Sequence, residues 1–178
     1  MRDRELQQKR YIAAAIDIAV AIGIGIVFAV VAVGLGFAFT RATSSSMVGV
    51  YLPRVVSFLG AVVGLAYVLG RDLVAGDRSL GKKIQNIRAV TVTGTAIGPT
   101  ESVRRNAIFA IGFALSVLSS TLRLIPCLGD AVSCMLLPVL ILGYLIALAA
   151  AIYELIQINQ EPDGIRYGDK MAGTRVVR

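Results

Sequence analysis

Apolar and polar residues fall in blocks along this chain. Residues 1–10 are polar and charged, 12–39 are apolar except for Asp17, 40–54 are mixed and carry Ser44, Ser45 and Ser46, and 55–70 are apolar again. Residues 71–106 form the longest polar segment, 107–125 are apolar with scattered Ser, 131–156 are apolar, and 157–178 are a polar tail. A hydrocarbon core about 30 Å thick takes roughly 20 residues of helix at about 1.5 Å each. The pattern predicts an all-α polytopic membrane protein of one domain, 1–178. Its four transmembrane helices lie at about 12–39, 50–70, 107–125 and 131–156, the second able to begin as early as Met47. The first block is far longer than the apolar region of a cleaved signal peptide.

The polar segments carry local signals of their own. Residues 80–86 read as a short interfacial helix presenting Lys82 and Lys83 to lipid headgroups. Residues 87–93 are rich in β-branched side chains and predict a strand ending at a Thr93-Gly94 turn. Thr100, after Pro99, is placed to cap the third long helix, with Glu101 in its first turn. Residues 174–177 predict a second strand. Neither strand can bury a face alone, so the two are expected to pair as one small β-element and to draw Asp169 toward the basic middle loop.

Charge orients the pattern. Lys and Arg number four in 1–10, seven in 71–106 and four in the tail, against two in 40–54 and one in 107–130. With the N-terminus inside, fifteen lie on the cytoplasmic side and three elsewhere. Positive residues are retained in the cytoplasm, so both termini are expected there, in a multi-pass protein of the plasma membrane. Arg78, Lys83 and Arg175 would then be inside, and Ser45 and Asp130 outside. The net charge of +7 is thereby spread over cytoplasmic loops, where its expected partners are anionic headgroups. No aromatic platform accompanies it, so nucleic acid is not an expected partner.

Composition narrows the chemistry. The chain has no His, no Trp and two Cys. Neither a metal centre nor a Ser-His-Asp hydrolase can be assembled from this inventory, and no enzyme activity, cofactor or metal is expected. Gly76-Asp77-Arg78-Ser79-Leu80-Gly81-Lys82-Lys83 approaches a phosphate loop. It puts Lys83 where the magnesium-binding hydroxyl belongs, and it follows a span instead of a strand. Gly60 and Gly64 form a GxxxG pair, and Ala15, Ala19 and Gly23 a similar stripe. Both let helices pack closely, within the chain or with another. Cys127 and Cys134 flank the outer turn, as a disulfide or as two separate thiols.

Arg10 and Asp17 share roughly one helix face, since seven residues turn a helix by about 700°. Helical side chains lean toward the N-terminus, so Arg10 leans away from Asp17 into the interface. Asp17 therefore needs another partner, with Lys82, Arg104, Arg105 and Lys170 as candidates, or it keeps its proton.

Arg10-Tyr11-Ile12-Ala13 followed by Asp17, then Ser79-Leu80-Gly81-Lys82-Lys83, then Arg105-Asn106 at the head of a span, then Asp169-Lys170 with Ala172-Gly173-Thr174 and Val176-Val177, resembles the RDD family of membrane proteins. That family is named for an arginine and two aspartates, matched here by Arg10, Asp17 and Asp169. The resemblance covers nearly the whole chain, though the Cys-bearing turn falls outside the pattern. It implies transport of a small cation or proton, with Asp17 as the binding carboxylate in an oligomer. The alternative is a non-catalytic scaffold or assembly factor for a larger membrane complex, in which Arg10, Asp17 and Asp169 lock loops onto the helices.

Overall fold

The computed structural model of the protein describes residues 4–42, 47–76, 78–126, 129–160 and 165–177. Four of its helices are long and apolar enough to cross a membrane: α1 (Arg4–Ala42), α2 (Met47–Gly70), α4 (Pro99–Arg123) and α5 (Gly129–Gln160). Between α2 and α4 the chain makes a 3-10 turn (Arg71–Leu73), a short helix α3 (Leu80–Ile84) and a strand β1 (Arg88–Thr91). After α5 come α6 (Tyr167–Ala172) and β2 (Thr174–Val177).

The four expected spans are all present, and each helix begins before its apolar block, because helical hydrogen bonding is set by caps and not by hydropathy. Met47 is indeed the first residue of α2. The third helix begins earlier than its apolar block, and Thr100 does not cap it. Gly98 holds that position, and its backbone N–H donates to the Glu101 carboxylate at 3.0 Å. Pro99 takes the first helical position, where its missing N–H costs nothing.

α1 packs on α2, α2 on α4 and α4 on α5, while α1 and α5 scarcely touch. Small residues make these crossings. A Cβ on Gly60 would stand 2.6 Å from Phe28 of α1, and one on Gly64 2.6 Å from Phe113 of α4. The GxxxG pair therefore packs within the chain. The Ala15, Ala19 and Gly23 stripe does not: Ala15 and Ala19 are exposed, and nothing stands within 4 Å of a Cβ on Gly23.

At one end of the bundle, α3, α6 and the two strands form a polar layer. The strands pair antiparallel, Arg88 opposite Val177 and Thr91 opposite Thr174. Gly94 takes a positive φ of 88° in the turn after β1. Gly173, at φ 62°, ends α6 in the left-handed conformation and lets the chain reverse into β2. Ile87 and Val176 pack with Ala13 of α1, so the sheet buries its apolar face on the first helix. Arg78, Lys83 and Arg175 all belong to this end. Ser45, the side chain of Asp130, and Cys127 with its end of the candidate disulfide lie outside the described residues; Cys134 is exposed.

Candidate functional site

The polar layer is fastened by buried charge. Asp169 lies in the first turn of α6, where its carboxylate accepts the Arg166 backbone N–H at 3.2 Å. Three guanidinium groups converge on it. Arg10 of α1 donates to it at 3.0 Å, Arg105 of α4 stands 2.8 Å away, and Arg166 approaches at 3.5 Å. Asp169 is 0% and Arg105 1% exposed, so these charges are paired where water cannot screen them. One carboxylate thus ties the tail to the first and third long helices.

A second carboxylate repeats the device. Asp72, in the 3-10 turn and fully buried, pairs with Lys82 of α3 and lies 3.6 Å from Arg105. Asn106 donates to it at 3.1 Å and accepts from Arg71 at 2.9 Å. Arg105 therefore bridges Asp72 and Asp169, joining the middle loop to the tail. A third link comes from Glu154 of α5. It pairs with Arg166 at 3.2 Å and accepts the Gly168 N–H at 2.9 Å.

Asp17 does different work. Its carboxylate accepts the backbone N–H of Gly81 at 2.9 Å. That contact requires α3 to lie against α1, and Gly81 permits it, because a Cβ there would collide with the Ala13 carbonyl. Ser79 caps α3 by accepting the Lys82 N–H at 3.3 Å, which aims the first turn of α3 at Asp17.

The RDD family model matches residues 7–173. The chain belongs to the RDD family. The match and the four long apolar helices together make it a multi-pass membrane protein. Searches of curated proteins and of solved structures find no match.

The geometry revises several roles expected of this RDD protein. Arg10 does lean away from Asp17, and its partner is Asp169. Asp17 pairs with none of Lys82, Arg104, Arg105 or Lys170; a peptide N–H from a preformed helix turn costs no second buried charge. Lys82 is 7% exposed and turned inward to Asp72, so it presents nothing to headgroups, whereas Lys83, Arg104 and Lys170 are exposed. Asp72, Glu154 and Arg166 were not anticipated. Asp72 follows the second span directly, and Glu154 stands within the fourth apolar block, a cost that calls for a buried partner.

Burial alone would raise the Asp169 carboxyl. Arg105, Arg166 and Arg10 outweigh it and hold it well below the usual carboxylate range. For Lys82 burial is again the largest influence and lowers the ammonium; Arg105 adds to it, and Asp72 offsets only part, leaving it near 7. The folded Asp169 carboxyl gains its proton only at a pH below that of the unfolded one, so acid favours the unfolded chain. The Asp169 contribution should be complete above its ordinary value of 3.8 and fade as pH falls below it. Thermal unfolding in detergent should show a midpoint dropping below about pH 4, with a shallower drop in Asp169→Asn. Equal slopes in both proteins would contradict this.

Two cavities meet at Asp17. A small one of about 20 Å³ lies among Arg10, Asp17, Arg71, Lys82 and Arg166, room for about one water. A larger one of about 470 Å³ runs between α1 and α5, with α2 and α4 behind. Its walls are mostly Ala, Ile, Leu and Phe side chains, and its charged groups gather at the polar layer.

Proposed function

We propose that this RDD protein is a non-catalytic membrane scaffold, with its polar layer on the cytoplasmic side. The observation that supports it best is the use of Asp17, which fastens α3 to α1 through the Gly81 N–H. Arg10 and Asp169 are likewise engaged with each other, and Asp169 also with Arg105. All three family residues serve as fasteners, and the result is a firm basic platform to which a neighbouring subunit or a second copy would dock. The charge asymmetry of the loops supports the cytoplasmic assignment.

Cation or proton transport is the second reading. It is favoured by the position of Asp17 between the two cavities, and opposed by the apolar walls of the larger one. Asp17→Asn separates the two, since Asn retains a carbonyl to accept the Gly81 N–H but cannot carry charge. The scaffold reading expects liposomes containing wild-type protein to show no cation or proton flux above empty liposomes. It expects Asp17→Asn to lose stability on the order of 1–2 kcal/mol, read as a lower unfolding temperature, because a charged acceptor becomes a neutral one. Wild-type flux abolished in a normally folded Asp17→Asn protein would establish transport instead.

A further inference from the structure

We infer that the groove between α1 and α5 is a binding site for one anionic lipid, its acyl chain along the groove and its headgroup on Arg71 and Tyr67. The groove opens sideways. Ile18 and Ile22 of α1 and Tyr144 and Leu148 of α5 line it and are also exposed, as expected where two long helices fail to pack. In a bilayer such an opening faces acyl chains. Along α1 the lining runs from Tyr11 to Ile22, which at about 1.5 Å per residue is roughly 16 Å, close to one leaflet of a hydrocarbon core about 30 Å thick.

The charge at its polar end selects the headgroup. Arg166 and Glu154, which also line the groove, are paired with each other, and Asp17 is held by Gly81. Arg71 forms no ion pair with any carboxylate of the described residues. Its guanidinium meets Asn106 at 2.9 Å and stacks over Phe109 at 5.2 Å. The buried Tyr67 hydroxyl has no hydrogen-bond partner among the described residues and lines the same end. Of the two cations that line the groove, Arg166 is paired with Glu154 and Arg71 has no paired carboxylate among the described residues. The groove therefore ends on a fixed positive charge and a free O–H donor, beside membrane that holds anionic headgroups. A phosphate diester satisfies both donors, and an anionic lipid brings it without the choline cation that a zwitterionic lipid would set near Arg71.

The test uses the whole protein in nanodiscs of phosphatidylcholine with phosphatidylglycerol, released into detergent and weighed by native mass spectrometry. Wild-type protein should retain one phosphatidylglycerol, with a preference of about tenfold over phosphatidylcholine. Arg71→Gln should bring the preference near unity and Arg71→Lys should keep most of it. Ala147→Phe, which puts a ring into the path of the acyl chain, should abolish retention of either lipid. Should Arg71→Gln fail to fold, Arg71→Lys and Ala147→Phe decide between them. Equal retention of the two lipids by the wild type overturns the inference, as does phosphatidylglycerol retained by Ala147→Phe. Displacement of the lipid by inorganic phosphate alone, or a second protein copy in place of lipid, overturns it as well.

Discussion

Asp169→Ala should unfold this protein more readily than any other single truncation of a polar side chain. The change leaves Arg10, Arg105 and Arg166 facing one another at a site that is 0% exposed. Removing one partner of a buried ion pair costs about 3–5 kcal/mol, since the charge left behind is neither solvated nor neutralised. Here three are left, although Arg166 keeps Glu154 and Arg105 keeps Asp72. For a chain of this size that cost corresponds to a fall of roughly 6–20 °C in the unfolding midpoint. Asp169→Asn should recover part of the loss by keeping an acceptor for the Arg166 N–H, without neutralising the arginines. Lys83→Met, at an exposed position of α3, should change stability by less than about 0.5 kcal/mol. If Asp169→Ala melts with the wild type, the network does not hold the layer.

Gly81→Ala should be the second large effect, although it adds one methyl group. The new Cβ would collide with the Ala13 carbonyl, a backbone atom that cannot swing aside. α3 must then retreat from α1, and the Gly81 N–H leaves Asp17. A strained packing contact costs about 1–3 kcal/mol, and an orphaned buried acceptor a similar amount or more when it is charged. Ala13→Gly should not rescue the variant, because trimming a side chain does nothing for a carbonyl. Gly70→Ala is the matching control, since nothing stands within 4 Å of a Cβ there. Thermal unfolding of the four proteins checks the ordering. Rescue by Ala13→Gly would show that side-chain crowding alone was at fault.

The two results bear on function together. A scaffold depends on how firmly its loops are seated, and both substitutions loosen the same polar layer from opposite sides. Asp169 holds the tail and Gly81 holds the middle loop, while Arg105 lies between Asp169 and Asp72 and couples them. Combining Asp169→Ala with Gly81→Ala should therefore cost less than the sum of the two, as for neighbouring sites in one network.

The number of spans and the membrane class were written in the order of the residues. A run of about 20 apolar residues has one cheap environment, and four such runs leave little choice of architecture. The strand pair was legible for a related reason, although the first strand covers only Arg88–Thr91 of the expected 87–93: short β-branched segments that cannot stand alone must find each other. The family resemblance singled out Arg10, Asp17 and Asp169, but their partners depended on distance in space. Arg10 and Asp169 are 159 positions apart, and periodicity along one helix says nothing of a contact made by the far end of the chain. Tertiary structure alone decided that Lys82 turns inward while Lys83 stays out, and that Asp17 meets a peptide N–H and no cation. It also made Arg105 the bridge, and left α1 and α5 apart with Arg71 at the mouth of the gap. A buried charge takes whichever neutralising group the packing delivers, and packing is settled by all the helices at once.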